Sequence, residues 1–442
     1  MTWGVGEQRP PQLWAPAAHP PAHGQGHGWS QGWAPPPLPP VPPSLSSRRN
    51  ARSIVFAVLV AVGLLIGAGV IGFVFVASGQ PEAIAVGFVL ALLPVGPLVG
   101  CYLWLDRYEP EPGRLLLMAF GWGALVATAT ALVLQVVDDS LSGRGMVWSG
   151  VVVAPISEEA AKGAFVLLLL WLRRHVIHGV LDGLVYAGLV GIGFAFTENI
   201  LYFAGAYAGE MGLGPGGFGA ATTIFVVRGV FSPFAHPLFT SAIGIGAGIM
   251  VGTRRRWLRW LAPLVGYLVA VGLHAAWNGS AFLADGRFFP LTYFFAMVPG
   301  FFVLVGLAIW FRVREGRMLT RSLTDLAHRG YLGLDEVLWL VRPPARRTAR
   351  RNARRRGGPG AEKLLKDYQR QAIELAVLHD HVMRGHRGRR GRDAEDTHRR
   401  GAHMAHRLGV LRAHVTAPPQ PAWSAWSAWP HPHSSGWPQG WS

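Results

Sequence analysis

Long apolar stretches alternate with short polar ones along most of this chain. Between residues 53 and 311, each apolar stretch is close to the roughly twenty residues that an α-helix needs to cross a bilayer. Because backbone groups cannot reach water inside a bilayer, apolar spans of this length are expected to be helical. The predicted fold is therefore an all-α, polytopic transmembrane helical bundle. Its eight predicted spans are residues 53–77, 83–105, 114–137, 149–172, 179–203, 233–252, 258–280 and 290–311.

One apolar segment does not fit this series of spans. Residues 220–231 (AATTIFVVRGVF) contain Arg228 and are followed by Ser232 and Pro233. Proline is favoured in the first turn of a new helix. The segment is therefore interpreted as an interfacial or re-entrant helix on the outer side, with the sixth span starting near Pro233.

The two ends of the chain differ in character from the spans. The N-terminal residues are rich in Pro, Gly and Trp and have few aliphatic side chains, a composition typical of disorder. After the last span the chain becomes basic and partly helical in its periodicity, and it ends in a Trp/Pro-rich low-complexity tail. The predicted regions are a disordered tail (1–52), a transmembrane domain (53–311), a basic, partly helical region (312–416) and a tail (417–442).

The charge of the chain indicates its orientation in the membrane. The formal net charge is +17, and the arginines are concentrated in alternate loops and in the C-terminal third. By the positive-inside rule this predicts a multi-pass cell-membrane protein with both termini in the cytoplasm. We attribute the positive charge to contact with the lipid bilayer and expect no specific nucleic acid partner. Cys101 is the single cysteine, which excludes an intrachain disulfide framework.

The fourth predicted span carries three charged side chains, Glu158, Glu159 and Lys162. Each charged group at the centre of a bilayer costs about 2.5–3.5 kcal/mol on insertion scales. Glu158 and Lys162 are four residues apart and can form an ion pair on one face of the helix. That pair does not explain Glu159, which points about 100° away. Two adjacent carboxylates in one membrane helix therefore indicate a functional site.

The next three spans also carry polar motifs. These are Glu198-Asn199 in the fifth span, His236 and Thr240 in the sixth, and His274 and Asn278 in the seventh. A water-exposed carboxylate and histidines that only bond neighbouring helices are the structural alternatives. Gly191 and Ala195, however, form a smooth strip where another helix can approach closely, which would turn the polar face of the fifth span inward.

The depth of these residues in the membrane is similar. Counted at about 1.5 Å per residue from the outer ends of their spans, four of them lie in the outer half of the bilayer. These four are Glu158, Glu198, His236 and His274. Residues placed at random along four spans would rarely agree in depth. The agreement predicts a single shared site.

Two neutral imidazoles with one or more carboxylates form a ligand set that binds catalytic Zn²⁺ and leaves one position open for water. Such a metal lowers the pKa of the water towards 7, and a neighbouring glutamate can act as general base. The ligands would come from separate helices, unlike those of HExxH, where both histidines share one helix. A metal-free site, in which glutamate and histidine activate water directly, stays open.

Four motifs on consecutive spans resemble those of the PrsW family of intramembrane proteases. They are EExxK from Glu158, GxxxAxxEN from Gly191, a sixth-span motif with His236, and HxxWN from His274. The family belongs to a wider group with the CAAX prenyl endopeptidases and bacterial Abi-type proteins, and the resemblance covers roughly residues 80–311. It implies a bacterial membrane metalloprotease that cleaves a single-pass membrane protein such as an anti-sigma factor.

The resemblance also implies roles for individual residues. The implied catalytic residues are Glu158, Glu159 and Glu198; the implied metal ligands, with Zn²⁺ as the expected metal, are His236, His274 and Glu198; the implied supporting residues are Lys162, Asn199 and Asn278. Between the two adjacent glutamates, Glu159 is expected to act as the base and Glu158 to pair with Lys162.

Two other classes of function are compatible with the same residues. A cation or proton transporter also uses intramembrane carboxylates and histidines. Inverted repeats with broken helices in both halves would favour it, and one candidate break is visible, near Pro233. A non-catalytic membrane scaffold that recruits partners through the Trp/Pro tails is the third possibility.

Overall fold

Helices form the regular structure of the residues that this computed structural model describes, which are 43–173, 176–211, 214–384 and 392–415. The predicted all-α class is confirmed, because no strand occurs among these residues. In chain order the helices are α1 (Pro43–Ala77), α2 (Pro81–Leu105), α3 (Gly113–Ser142), α4 (146–172), α5 (Val180–Ala208), α6 (217–231), α7 (Ala235–Gly252), α8 (Arg256–Phe282), α9 (Phe289–His328), α10 (Leu334–Val341), α11 (Pro343–Met383) and α12 (Arg392–His414).

The chain divides into two compact units, with the boundary between Arg317 and Met318 inside α9. The predicted boundary at residues 311 and 312 lies close to this point. Helix α1 begins at Pro43 rather than at residue 53, since proline is tolerated in a first helical turn. Of the predicted disordered tails, residues 1–42 and 417–442 lie outside the described residues.

Within the described part of the chain, seven helices are long and apolar enough to cross a membrane. They are Ala51–Ala77, Pro81–Leu105, Gly113–Ser142, Val180–Ala208, Gly217–Gly252 (α6 and α7 counted together across the break between them), Arg256–Phe282 and Phe289–His328. The predicted fourth span is present as α4, but Glu158, Glu159 and Lys162 make it too charged to be counted with these seven. The polytopic bundle is thus confirmed. The predicted fourth span, α4, differs from the other spans because it carries three charged side chains.

The predicted break before the sixth span is confirmed. Helix α6 ends at Phe231, and α7 begins at Ala235. Ser232 closes α6 by donating both its backbone N–H (3.0 Å) and its hydroxyl (2.7 Å) to the carbonyl oxygen of Val227. Pro233 has no N–H to extend the helical hydrogen bonding. The placement of α6 at a membrane interface stays a prediction.

Helix α5 lies at the centre of the first unit, Val41–Arg317, and is buried along most of its length. Its glycines permit backbone-to-backbone contact with α7. A Cβ at Gly183 would lie 2.1 Å from the carbonyl oxygen of Gly244, and one at Gly191 would lie 2.9 Å from that of His236. The smooth strip predicted at Gly191 is therefore a real helix contact, and it brings α7 to the polar face of α5.

The second unit contains the predicted C-terminal helices. Trp339 of α10 packs on Tyr368 of α11, with ring centroids 6.1 Å apart. The basic run at residues 345–356 is the first part of α11. A sharp bend follows at Gly357 and Gly358, where Gly358 has a φ of 71°, a conformation that glycine adopts without strain.

A group of acidic side chains lies at the ends of α2, α5 and α9 that are predicted to face the cytoplasm. Asp106 follows α2 and accepts the backbone N–H of Glu111 at 3.0 Å. Burial raises the pKa of Asp106 to about 7, against the lowering effect of that hydrogen bond, and the charges of Asp182 and Glu109 raise it further. Glu315 of α9 also faces this group. The folded protein thus holds a proton on Asp106 more tightly than an unfolded chain does.

Replacing Asp106 by asparagine should therefore stabilise the protein at high pH. A raised carboxyl pKa means that stability is lost as the pH rises from about 4 to 7, and asparagine cannot ionise. We expect Asp106→Asn to melt a few degrees above wild type at pH 8 and close to wild type at pH 4 or below, as measured by thermal unfolding in detergent. Asp139→Asn, at an exposed acid, is the control. A gain that is equal at both pH values would contradict the prediction.

Candidate active site

The two adjacent glutamates of α4 meet Lys162 inside the bundle. The Lys162 ammonium lies 2.8 Å from Glu159 Oε1 and 3.3 Å from Glu158 Oε2, and all three side chains are buried. It also lies 3.6 Å from the ring centroid of Phe194. A buried charge needs partners of this kind, because water is excluded from the site. The ammonium is thus held between two carboxylates and an aromatic face.

The pairing within this cluster differs from the expectation that Lys162 accounts for Glu158 alone. Glu159 has the shorter contact with Lys162, and it also accepts hydrogen bonds from Thr240 (3.1 Å) and His274 (3.1 Å). Glu158 has the longer contact with Lys162. Side-chain rotamers decide this difference, since residues three and four positions before a lysine are both within its reach on a helix. Glu159 is the more firmly held of the two glutamates.

The hydrogen bonds of His236 fix which ring nitrogen carries the proton. An ammonium group has only donors, so His236 Nδ1, which lies 3.1 Å from Lys162 Nζ, must accept. The proton of the neutral ring is then on Nε2, which donates to Glu198 Oε2 at 2.7 Å. The lone pair of Nδ1 is thus directed at Lys162, which in turn contacts the two glutamates of α4.

His274 has the opposite arrangement. A carboxylate only accepts hydrogen bonds, so the Nδ1–H of His274 donates to Glu159 Oε1 at 3.1 Å. Its Nε2 then carries the lone pair, and this atom lies 3.7 Å from Glu158 Oε2. The ring stacks on Phe239 with centroids 5.0 Å apart, which fixes its plane. The two histidines thus present lone pairs from different nitrogens to the same region.

Glu158, His236 and His274 form the group that this geometry favours for a metal ion. One ligand atom from each lies within 4.8 Å of the others, and all three residues are buried. The donor set of two nitrogens and one oxygen suits Zn²⁺. The ammonium of Lys162 contacts two of these residues, Glu158 Oε2 and His236 Nδ1, and would have to move off His236 Nδ1 for a metal to bind there. The residues therefore fit a metal site.

Glu198 was expected to be both a catalytic residue and a metal ligand. In the structure it contacts the Nε2 side of the His236 ring, whereas Lys162 contacts the Nδ1 side. Its carboxylate contacts His236 Nε2 and forms an ion pair with the guanidinium of Arg228. It is not among the three residues whose ligand atoms converge. Its contacts favour orientation of His236 rather than metal ligation.

The supporting residues lie at the edge of the cluster. Asn278 donates to the carbonyl oxygen of Gly150 at 2.8 Å, which ties α8 to a π-helical turn of α4. Asn199 accepts from Arg228 Nε at 2.8 Å. Arg228 was not predicted to belong to the site. Its sequence signal was an isolated arginine in an otherwise apolar segment.

A cavity opens beside His236 at the break between α6 and α7. Its lining consists of Ala195, Asn199, Arg228, Ser232, Pro233, Ala235, His236 and Trp277. The lining combines polar side chains with apolar walls.

Comparison with known proteins identifies the region that contains this cluster. Residues 111–305 match the family described as PrsW family intramembrane metalloprotease. The match begins ahead of α3, extends into α9 and includes every residue of the cluster.

Two relatives named Protease PrsW match parts of the chain. The one from Bacillus subtilis (strain 168) is 29% identical over 105 residues, which are 24% of this chain and 48% of the relative. The one from Clostridioides difficile (strain 630) is 28% identical over 163 residues, or 36% of this chain and 63% of the relative. The chain thus spans about half to two thirds of these relatives. No solved structure matches.

Proposed function

We propose, from the match of residues 111–305 to the PrsW family of intramembrane metalloproteases, that this chain is an intramembrane endopeptidase. The observation that carries the proposal is the convergence of Glu158 with the lone-pair nitrogens of His236 and His274. Hydrolysis of a peptide bond inside a membrane needs a buried polar site that activates water. This cluster has that composition.

Glu158, His236 Nδ1 and His274 Nε2 would hold the metal ion, for which Zn²⁺ is the expected identity. The bound metal would act as a Lewis acid and supply a water molecule with a pKa near 7. The family description of a metalloprotease agrees with this donor set.

Two further carboxylates hold the imidazoles in position. Glu159 accepts the Nδ1–H of His274, and Glu198 accepts the Nε2–H of His236. Carboxylates that hydrogen-bond the second nitrogen of a metal-binding histidine fix its tautomer and raise its basicity. Lys162 balances one of the two glutamate charges, and its ammonium would stabilise the developing charge on the substrate's carbonyl oxygen.

One of the two adjacent glutamates, Glu158 or Glu159, would accept the proton of the attacking water. Both oxygens of Glu159 already accept hydrogen bonds, from Lys162, His274 and Thr240. Glu158 has the less committed carboxylate, but as a metal ligand it could not also take the proton, so Glu159 stays the proposed base of a metal-bound site. In a metal-free site Glu158 would act as the general base, with His274 Nε2 beside it.

The substrate is proposed to be a membrane-anchored protein with a single span, such as an anti-sigma factor. A helical span must unwind locally before its backbone can be cut. The cavity beside His236, with the side chains of Asn199 and Arg228 in its wall, offers polar partners for such an unwound segment. With both termini in the cytoplasm, as the loop charges predict, this cavity faces the outer half of the bilayer.

Glu158→Gln tests the function and assigns the role of this glutamate. We expect loss of cleavage, measured as accumulation of uncut single-span proteins in membranes of cells carrying the variant. Glu210→Gln, at an exposed glutamate that accepts a bond from Gln80, is the matched control. Loss of cleavage with retained zinc in the purified protein assigns Glu158 as base, and loss of both assigns it as ligand. Unchanged cleavage would refute the proposal, and ion flux in proteoliposomes that the same variant abolishes would support a transporter instead.

A further inference from the structure

Arg228 is the residue of the cluster that neither the sequence motifs nor the proposed chemistry uses. It lies in the π-helical turn at residues 226–231, which ends α6. Such turns place side chains differently from a regular α-helix and are frequent at functional sites. Here the turn directs the guanidinium towards α5.

Arg228 makes three contacts with successive turns of α5. Its Nε donates to Asn199 Oδ1 at 2.8 Å, its Nη2 pairs with the carboxylate of Glu198, and its guanidinium stacks 3.8 Å from the ring centroid of Tyr202. Guanidinium groups recognise carboxylates and aromatic faces with a fixed geometry that an ammonium does not reproduce. The three contacts therefore fix the position of Glu198.

Glu198, held in this position, in turn restricts the orientation of the His236 ring. The same oxygen, Glu198 Oε2, contacts both Arg228 Nη2 and His236 Nε2. If that carboxylate turned away, the Nε2–H of His236 would lose its acceptor, and the ring could rotate out of the orientation in which Nδ1 accepts from Lys162. Nδ1 would then no longer be held towards the rest of the cluster.

We propose that Arg228 is a positioning residue, which holds Glu198 so that the His236 ring keeps the orientation that offers Nδ1 to the metal. The role deepens the proposed function and rests on it for the metal, but the orientation of the His236 ring is a property of the chain alone. The helix α6, outside the four motifs, is then part of the active site.

The first test measures metal affinity. Full-length Arg228→Gln, purified in detergent, should bind Zn²⁺ about 10- to 100-fold more weakly than wild type in competition with a chromophoric chelator, the usual effect of losing a group that supports a metal ligand. Arg228→Lys should recover part of the loss, because lysine keeps the charge but not the forked geometry. Arg144→Gln, at an exposed arginine that also lies over an aromatic ring (Trp148), is the matched control and should bind as wild type.

The second test needs no metal. Nitrogen-15 spectra of histidine-labelled protein should show the His236 Nε2–H at the chemical shift of a group donating to a carboxylate in wild type and displaced from it in Arg228→Gln, with the signal identified by its absence in His236→Gln. Wild type that binds no metal but shows this change would refute the metal site and leave the role of Arg228 standing. A wild-type Nε2–H signal together with wild-type zinc affinity in folded Arg228→Gln would overturn the inference.

Discussion

Replacing His274 by asparagine should abolish metal binding while the fold is retained. The asparagine amide can occupy the position of Nδ1–H and still donate to Glu159, but it has no counterpart of the Nε2 lone pair. Loss of one of three metal ligands removes several kcal/mol of transition-state stabilisation, so cleavage should fall by at least about a thousandfold. Zinc content and cleavage of a single-span substrate are the measurements.

The control for this prediction is His178→Asn, at a histidine that pairs with Glu109 outside the cluster. This variant should cleave as wild type does. Thermal unfolding distinguishes loss of the site from loss of the fold, because His274 is buried and stacked on Phe239. Cleavage by His274→Asn within tenfold of wild type would rule out His274 as a ligand.

Replacing Lys162 by methionine should destabilise the first unit more than any other substitution in the site. Methionine fills a similar volume but leaves Glu158 and Glu159 buried without their shared cation. Removing one partner of a buried ion pair costs about 3–5 kcal/mol. The loss is measured as a fall in the midpoint of unfolding by a denaturing detergent and as reduced accumulation in membranes.

A second substitution separates charge from packing in this prediction. Lys162→Met combined with Glu159→Gln removes one of the two carboxylates and should recover part of the lost stability. The glutamine can still accept from Thr240, so the packing around it changes little. If the double variant is no more stable than Lys162→Met, the cost lies in packing around Phe194 rather than in unpaired charge.

Hydropathy predicted the spans because burial in lipid sets their length, but it could not predict where helices end in water. Helix α9 continues beyond the predicted end at Phe311 as far as His328, since polar residues can extend a helix after the apolar stretch stops. The break at Pro233 was predictable, because proline lacks the N–H that a continuous helix would need.

The convergence of the site was predictable from depth, and its internal pairing was not. Counting residues from the outer helix ends placed Glu158, His236 and His274 at one level, and the structure brings them together. Whether Lys162 prefers Glu158 or Glu159 depends on rotamers that a sequence does not encode in its spacing. Arg228 was missed because it approaches from a separate helix, and no fixed spacing links it to Glu198.

The central position of α5 has a consequence for how the protein is made. Its neighbours cover it on almost every side, so lipid does not solvate its glycine-rich surfaces in the finished bundle. During synthesis α2 and α3 exist before it, but α7, which packs against Gly183 and Gly191, is added only later. Until α7 is added, α5 lies in the bilayer with Glu198 and the backbone at Gly183 and Gly191 uncovered. A bulky substitution on α5 should therefore impair assembly of the helical bundle in the membrane before it affects the site itself.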